Sequence, residues 1–223
     1  MKVSPLLIFL LFTISVGAQS KFRLEDASKL VDVSIDVGTC KDGRCGPLNV
    51  EFFRKGEPKA FQAIRLAQTE MWDDEPKANV INRYDDQSVI NFHDFNFDGN
   101  EDVAICDGSN GGYGAPSYRV YLYNASTRRY VYAPAFTKMN AGGLGMFETD
   151  DQKKMNLVSI KSGCCWHQTL GFDMYRGKPR KVYEFTEEVL TNKPETVEIT
   201  TSKLVKGRWK TTVKHAKTSE YYK

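Results

Sequence analysis

Apolar and polar residues alternate one by one through most of this chain, and this alternation constrains its fold more than any other sequence feature. The stretch Val31-Asp-Val-Ser-Ile-Asp-Val37 shows the pattern most clearly. Successive side chains of a β-strand point to opposite faces, so the pattern predicts a strand with one buried face. Similar stretches recur at 48–53, 60–66, 89–95, 102–106, 118–123, 129–133, 155–161, 170–175, 181–185, 196–204 and 209–214.

Turn residues separate these stretches at the spacing of hairpins, which predicts an all-β fold of short antiparallel hairpins. About a dozen short strands at this spacing fit a β-sandwich, a barrel or a small propeller. Helix is expected only over 22–31 and 69–78. No linker or low-complexity stretch divides the chain, so residues 19–223 are predicted to form a single β-rich domain.

The first residues are typical of an export signal. Lys2 precedes the apolar run Leu6–Phe12, and Val16-Gly-Ala18 offers small residues for cleavage. The run is shorter than the roughly 20 residues of a membrane-spanning helix. We therefore predict a signal peptide over residues 1–18 and a periplasmic or secreted mature chain without membrane contact. A retained N-terminal anchor is the alternative.

All five cysteines follow the predicted signal, where disulfides are permitted. Cys40 and Cys45 enclose Lys-Asp-Gly-Arg and predict a pinched turn, whose closure stabilises the fold by only ~2 kcal/mol. Cys106 is expected to pair with Cys164 or Cys165, which leaves one thiol over. A zinc site of these three cysteines with His167 is the alternative, but adjacent cysteines rarely bind one metal ion together.

The strongest chemical signal is Asp94-Phe-Asn-Phe-Asp-Gly-Asn-Glu-Asp102. Ca²⁺ prefers six to eight oxygen ligands, and this segment offers oxygen at alternating positions around a glycine that permits a sharp turn. The predicted ligands are the side chains of Asp94, Asn96 and Asp98, the carbonyl of Asn100, and Asp102 directly or through water. An EF-hand would place glutamate where Ile105 stands, and strands flank the segment. The pattern therefore resembles the calcium loops of β-propellers. An acidic turn without metal is the alternative.

A glycine-rich segment follows, Asp107-Gly-Ser-Asn-Gly-Gly-Tyr-Gly-Ala-Pro-Ser117. Glycine in a strand interior is unfavourable by ~0.5–1 kcal/mol relative to alanine, so this is a shaped loop. A phosphate-binding loop would be followed by a helix, whereas a strand is predicted here. Tyr113, between Gly111-Gly112 and Gly114, combines an apolar ring with a polar tip and is a candidate binding residue. Alternatively, Tyr113 packs onto its own core.

Residues 91–175 resemble a bacterial family of calcium-loop proteins. The resemblance rests on Asp94–Asp102, on Gly111-Gly-Tyr-Gly-Ala-Pro-Ser-Tyr-Arg-Val-Tyr-Leu-Tyr123, on Leu144-Gly-Met-Phe147 and on Lys161-Ser-Gly-Cys-Cys-Trp-His167. This family looks like the periplasmic immunity proteins that protect bacteria from peptidoglycan hydrolases injected by a type IV secretion system. In such proteins a propeller-like β domain binds calcium, so the resemblance implies a propeller-like fold here, with a β-sandwich or a barrel as the alternatives. The resemblance implies that the loop of Gly111, Gly112, Tyr113 and Gly114 enters the active site of such a hydrolase. The resemblance does not extend to the N-terminal third of the chain, which contains the Cys40–Cys45 turn.

Catalysis by this chain is not expected, because its three histidines, His93, His167 and His215, accompany no nucleophile motif. The competing function is a calcium-dependent carbohydrate-binding or adhesive module that uses Tyr113, Tyr118 and Trp166. A structural protein without a dedicated ligand is the third possibility. The net charge is only +3, and the basic C-terminal residues predict a solvated strand face rather than nucleic-acid binding. These basic residues are Lys203, Lys206, Arg208, Lys210, Lys214 and Lys217.

Overall fold

The computed structural model describes residues 20–222, so the predicted signal peptide over 1–18 lies outside the described residues. The strands are β1 (Ser20–Leu24), β2 (Val31–Lys41), β3 (Arg44–Arg54), β4 (Ala60–Leu66), β5 (Thr69–Glu70), β6 (Ile90–His93), β7 (Asp102–Gly108), β8 (Ser117–Asn124), β9 (Arg129–Tyr132), β10 (Glu148–Asp150), β11 (Met155–Ser162), β12 (Trp166–Tyr175), β13 (Lys178–Val189), β14 (Thr196–Val205) and β15 (Arg208–Lys217). The helices are α1 (Pro134–Met139) and α2 (Thr218–Tyr221), with a 3-10 turn at Gly112–Gly114.

These strands form three antiparallel sheets. Sheet A has the order β1-β2-β3-β4, with β5 paired to the start of β3. Sheet B has the order β6-β7-β8-β9, and sheet C runs from β10 to β15 in chain order. The prediction of an all-β fold of antiparallel hairpins is confirmed. No sheet of residues 20–222 closes into a barrel. The propeller-like arrangement stays a prediction.

Sheet B is the central layer, because β7 buries both of its faces. Val103 and Ile105 pack into an apolar cluster with sheet A, whereas Ala104 and Cys106 pack into a second cluster with residues of sheet C. The alternation of side chains along one strand thus serves two cores. The loops at the two ends of sheet B are held between two packed layers, and both candidate sites lie there.

Sheet C extends beyond this packing. Its outermost strand β15 is exposed along its whole length apart from the half-buried Ala216. Because sheet C is a simple meander, its turns alternate between two ends. Turns 151–154, 176–177 and 206–207 lie at one end, and turns 163–165 and 190–195 lie at the other.

Both predicted helices are wrong. Residues 20–24 form β1, whose side chains alternate against β2, and residues 69–70 form β5. Strand pairing supplies backbone hydrogen bonds that a short isolated helix would have to make alone. The two helices of the described chain have six and four residues. Neither is long and apolar enough to cross a membrane.

Candidate functional site

The loop between β6 and β7 is held by its own acidic side chains. The carboxylate of Asp94 accepts hydrogen bonds from the backbone N–H groups of Asp98 (3.0 Å) and Gly99 (2.7 Å). Gly99 has φ 89°, which a residue with a side chain adopts only under strain. The amide oxygen of Asn96 also accepts from the N–H of Asp98, at 3.0 Å. The loop therefore curls around the oxygens of its first three polar residues.

Asp98 lies at the centre of this arrangement. Its Oδ1 accepts from the backbone and side-chain N–H groups of Asn100 at 2.8 and 2.9 Å, and its Oδ2 accepts from Asn96 at 2.8 Å. Burial acts to raise the pKa of Asp98, but these hydrogen bonds outweigh it and hold the pKa below its usual value. Asp98 is therefore ionised at neutral pH, as a ligand for a hard cation must be.

Asp102 is placed differently from the other predicted ligands. It is fully buried beneath the loop, where Oδ2 accepts from the N–H of Phe95 (2.9 Å) and Oδ1 from the N–H of Tyr123 (2.8 Å). Burial raises the pKa of Asp102 to about 7, and the charges of Asp98 and Asp94 contribute. In this geometry Asp102 anchors the loop to β8, and a cation in the loop would favour its ionised form.

The remaining donors fit a hard cation. Asp94, Asn96 and Asp98 present oxygen at alternating positions of a tight turn, and the carbonyl of Asn100 is the fourth predicted ligand. Over residues 20–222, no three His, Cys, Asp or Glu side chains come together as a metal site. This agrees with the inward direction of Asp102. Calcium binding stays a prediction, with Asp94, Asn96, Asp98 and Asn100 as ligands and Asp102 as the fifth, directly or through water.

Two residues of sheet C and its turns contact this loop or its start: Asn156 bonds to Phe95, and Asp151 bonds to His93. The side-chain amide of Asn156, which is fully buried, donates to the carbonyl oxygen of Phe95 at 2.8 Å. The amide oxygen of Asn156 accepts from the hydroxyl of Thr149 at 3.0 Å. His93 supports the start of the loop through Asp151, with 2.8 Å between Nε2 and Oδ1. Sequence reasoning missed Asn156, because a buried asparagine inside a strand carries no motif.

The glycine-rich loop after β7 presents Tyr113 to solvent. Tyr113 lies in the 3-10 turn with left-handed dihedral angles (φ 57°, ψ 28°), and it is 66% exposed. The N–H of Gly111 donates to Ala115 O, and the N–H of Gly112 donates to Gly143 O, both at 2.9 Å. The exposure excludes the alternative in which Tyr113 packs into the core.

Close approach of neighbouring backbone explains the paired glycines before Tyr113. A Cβ atom on Gly111 would lie 2.7 Å from the carbonyl oxygens of Ala115 and Gly143, and one on Gly112 would lie 2.6 Å from that of Gly142. Such distances are too short for any side chain. Glycine is therefore required for this loop to dock against residues 142–143.

Tyr113 is also supported by the turn between β11 and β12. Its hydroxyl accepts a hydrogen bond from the N–H of Gly163. The ammonium group of Lys161 lies 4.8 Å from the ring centroid of Tyr113 and 5.1 Å from that of Tyr84. Such cation–π contacts contribute ~0.5–1 kcal/mol at exposed sites. No carboxylate within residues 20–222 forms an ion pair with Lys161.

A groove of about 430 Å³ lies beside the Tyr113 loop. Trp72 and Tyr84, which are 64% and 68% exposed, line it together with Tyr113. The indole N–H of Trp72 donates to Glu70 at 2.8 Å, and the ring covers Gly43. Three exposed aromatic rings around one concavity are typical of a recognition surface. Sequence reasoning missed Trp72 and Tyr84, because no local pattern links either residue to Tyr113.

The cysteines pair differently from the prediction. Cys40 and Cys45 form a disulfide across the β2–β3 hairpin, and Cys164 and Cys165 form a disulfide with each other. Cys106 is a free, buried thiol, so its predicted bond to Cys164 or Cys165 is wrong. The Cys106 side chain packs in the core between sheets B and C, whereas the other two lie in the β11–β12 turn.

The zinc alternative fails for the same reason, because the three cysteines do not assemble. His167 instead pairs with Glu187 at 3.1 Å, and His215 pairs with Glu198 at 3.2 Å. With His93 beside Asp151, each of the three histidines thus contacts a different carboxylate. The absence of catalytic activity stays a prediction.

No family model matches this sequence, and no curated protein matches it significantly. A solved structure from Xanthomonas, described as that of a type IV secretion system related protein, has a similar fold. The TM-score is 0.62 at 22% sequence identity, over 90% of this chain and 96% of the other. At this identity the likeness establishes a shared all-β fold across nearly the whole of both chains.

Proposed function

We propose that this protein is an exported immunity protein that inhibits a lysozyme-like peptidoglycan hydrolase by inserting the Tyr113 loop into its active site. The observation that carries the proposal is the exposure of Tyr113 on a loop whose backbone is fixed from two sides. A residue that is two-thirds exposed contributes little to its own core. We therefore attribute the glycines at 111 and 112, and the left-handed turn, to the presentation of Tyr113 to a partner.

Rigidity is the first reason that the loop suits inhibition. Backbone hydrogen bonds to Gly143 and Ala115 hold the loop, and the N–H of Gly163 holds the Tyr113 hydroxyl. A loop that is ordered before binding loses less conformational entropy when the complex forms. Calcium in the Asp94–Asn100 loop would stabilise the opposite end of sheet B, and the proposed role of calcium is structural.

Chemical complementarity is the second reason. Hydrolases that cleave glycosidic bonds use a pair of carboxyl groups on either side of the scissile bond. Tyr113 offers a hydroxyl donor, and the Lys161 ammonium beside it carries a charge with no carboxylate partner in the described structure. An inserted tyrosine ring would occupy the space of a sugar while these groups face the carboxylates.

We also propose that the function of this protein is related to type IV secretion. The Xanthomonas protein is described as related to such a system, and its fold is similar to this one. The two disulfides suit an oxidising compartment, which agrees with a periplasmic or secreted location.

The deciding experiment is capture of the partner from a periplasmic extract of the source organism. Wild-type protein with calcium is expected to capture a peptidoglycan hydrolase and to inhibit its digestion of purified peptidoglycan. Tyr113→Ala is expected to lose both, whereas Tyr132→Ala, which changes a tyrosine that is 46% exposed on β9, retains them. Capture of no hydrolase by folded, calcium-loaded protein would overturn the proposal.

One observation favours a second candidate, a carbohydrate-binding module. Trp72, Tyr84 and Tyr113 surround one groove, and exposed rings of this kind stack on sugars. Tyr118 cannot take part as the sequence suggested, because it is 2% exposed and its hydroxyl donates to Ser88 O at 2.8 Å. Calorimetric titration with chitooligosaccharides distinguishes the two candidate functions. Only a carbohydrate-binding module should bind these sugars and lose that binding in the Trp72→Ala variant.

A further inference from the structure

Basic residues gather at one end of sheet C, although they come from three separate stretches of sequence. Turns 151–154, 176–177 and 206–207 lie side by side there, and we call these turns with the adjoining strand ends the basic end. Within residues 20–222, seven cations of the basic end have no carboxylate at ion-pair distance. They are Lys154, Arg176, Lys178, Lys203, Lys206, Arg208 and Lys210.

The acidic residues of this end offset little of that charge. Asp151, in turn 151–154, contacts His93 and leaves one carboxylate against the seven cations, and the other three carboxylates are paired with further cations. Asp150 pairs with Lys153, Asp173 with Arg180 and Glu184 with Lys181, at 2.6, 2.6 and 2.8 Å. Neighbouring strands lie about 4.8 Å apart, so the three turns span roughly 20 Å. A band of uncompensated positive charge of this width attracts an extended anionic surface.

Two of the turns carry a basic residue at the tip. Arg176-Gly177 (φ 52° and 72°) and Lys206-Gly207 (φ 50° and 76°) are two-residue turns with both residues in the left-handed region. Asparagine, aspartate or glycine usually occupies the first of these positions. Here arginine and lysine stand at the tips. The guanidinium of Arg176 lies 5.2 Å from the ring centroid of Tyr175, and Lys206 lines a groove on sheet C.

Apolar side chains accompany the cations. Tyr175, Val205 and Trp209 are 48%, 38% and 45% exposed at the same turns. A groove of about 880 Å³ also opens on this part of sheet C. Its lining includes the basic residues Lys153, Arg180, Lys203 and Lys206 and the apolar residues Met155, Leu157, Val182, Phe185 and Leu204.

We propose that the basic end of sheet C docks the protein on a membrane surface rich in anionic phospholipid. Lysine and arginine would bind the phosphate groups, while Tyr175 and Trp209 lie at the depth of the headgroups, where such rings are favoured. The apolar groove beside the cations suits a lipid rather than a nucleic acid, which offers no acyl chain. The proposal replaces the expectation of a merely solvated strand face without membrane contact.

The position of the basic end leaves the Tyr113 loop free. Tyr113 contacts Gly163, in the turn at the opposite end of sheet C. Docking through turns 151–154, 176–177 and 206–207 therefore points Tyr113 away from the membrane. This surface and the hydrolase-binding loop can be tested independently.

The experiment is co-sedimentation of the disulfide-bonded protein with vesicles. Phosphatidylcholine vesicles with added phosphatidylglycerol are expected to bind the protein, and raising the salt concentration is expected to weaken binding. Each basic residue near an anionic surface changes the partition coefficient about fivefold. The triple variant Lys178→Glu/Lys206→Glu/Lys210→Glu should therefore lose at least about tenfold. Trp209→Ala should lower binding without changing its salt dependence.

A charge-matched control separates this surface from net charge. Lys41→Glu/Lys59→Glu/Arg128→Glu changes three exposed cations on sheets A and B by the same amount, and it should retain vesicle binding within about threefold. Equal losses in both triple variants would overturn the proposal, as would binding to pure phosphatidylcholine. Tight binding of a duplex oligonucleotide without vesicle binding would also overturn it. Unchanged hydrolase inhibition by the first triple variant is expected, since the Tyr113 loop is intact.

Discussion

The hydroxyl group of Tyr113 accepts a hydrogen bond from the backbone N–H of Gly163, fifty residues further along the chain. Gly163 precedes the disulfide between Cys164 and Cys165 in the β11–β12 turn. The exposed tyrosine of the β7–β8 loop is therefore supported by a turn of sheet C. In the proposed function this support fixes the Tyr113 loop before a partner binds, and it leads to the first prediction.

Replacement of Tyr113 by alanine should separate binding from stability. Because the side chain is 66% exposed, we expect the free energy of unfolding to change by less than ~1 kcal/mol. We expect hydrolase binding to weaken by ~2 kcal/mol or more, as for a binding hot spot. Denaturant unfolding and a titration of hydrolase inhibition measure the two quantities. A large loss of stability would show that Tyr113 acts as a core residue, and Tyr132→Ala is the control.

Replacement of Gly112 by alanine should displace the loop while Tyr113 itself is retained. The added Cβ would lie 2.6 Å from Gly142 O, so the loop must move away from residues 142–143. We expect weaker inhibition of the hydrolase and a loss of ~1–3 kcal/mol in stability. Gly56→Ala, in the β3–β4 turn, controls for a loss of stability alone. Its Cβ meets no atom within 4 Å but its φ of 76° adds backbone strain far from the Tyr113 loop, so this variant should lose stability and keep full inhibition. Normal inhibition by the Gly112 variant would contradict the rigid-loop explanation.

Asp98→Ala should remove the response of the protein to calcium. A cation that binds the folded state alone raises the melting temperature, and a chelator reverses the increase. The variant loses the carboxylate that bridges Asn96 and Asn100, so its melting temperature should be low with or without chelator. Asp74→Ala, an exposed aspartate outside the loop, should respond as wild type does. An unchanged chelator response in the Asp98 variant would refute the calcium site.

Thiol labelling should find Cys106 alone, and only after unfolding. Burial raises the pKa of the Cys106 thiol, and a buried neutral thiol is unreactive. We expect no labelling of the native, unreduced protein and one labelled cysteine in denaturant, which peptide mapping assigns to position 106. Labelling of Cys164 or Cys165 without denaturant would restore the pairing that the sequence suggested.

Alternation predicted most strands of this fold, and β4 has the predicted bounds of Ala60–Leu66. The pattern succeeds because apolar side chains of one face pack into a core, although in β2 the polar Asp32 and Ser34 of the other face are buried too. It fails for β1 and β5, which depend on pairing with distant partners and carry little local signal. The basic end of sheet C could not be predicted from the sequence for a related reason. Residues 154, 176 and 206 come together only when sheet C has formed its meander.

The candidate sites were predictable where their chemistry is local. Asp94, Asn96 and Asp98 bond within one turn, so their spacing was informative. Asp102 satisfies the same spacing but is turned inward by the N–H groups of Phe95 and Tyr123, and Tyr123 lies on another strand. A spacing rule contains no information about such distant donors.

The hydrogen bond from Asn156 to the Phe95 carbonyl has a consequence for the order of folding. Bonds inside the 94–102 loop join residues two to seven positions apart, whereas this bond spans sixty-one. Short-range contacts form sooner, because closing a long segment loses more chain entropy. We therefore expect the loop to adopt its conformation while the later part of the chain is still unfolded. Strand β11 would then pack against a loop that has already formed.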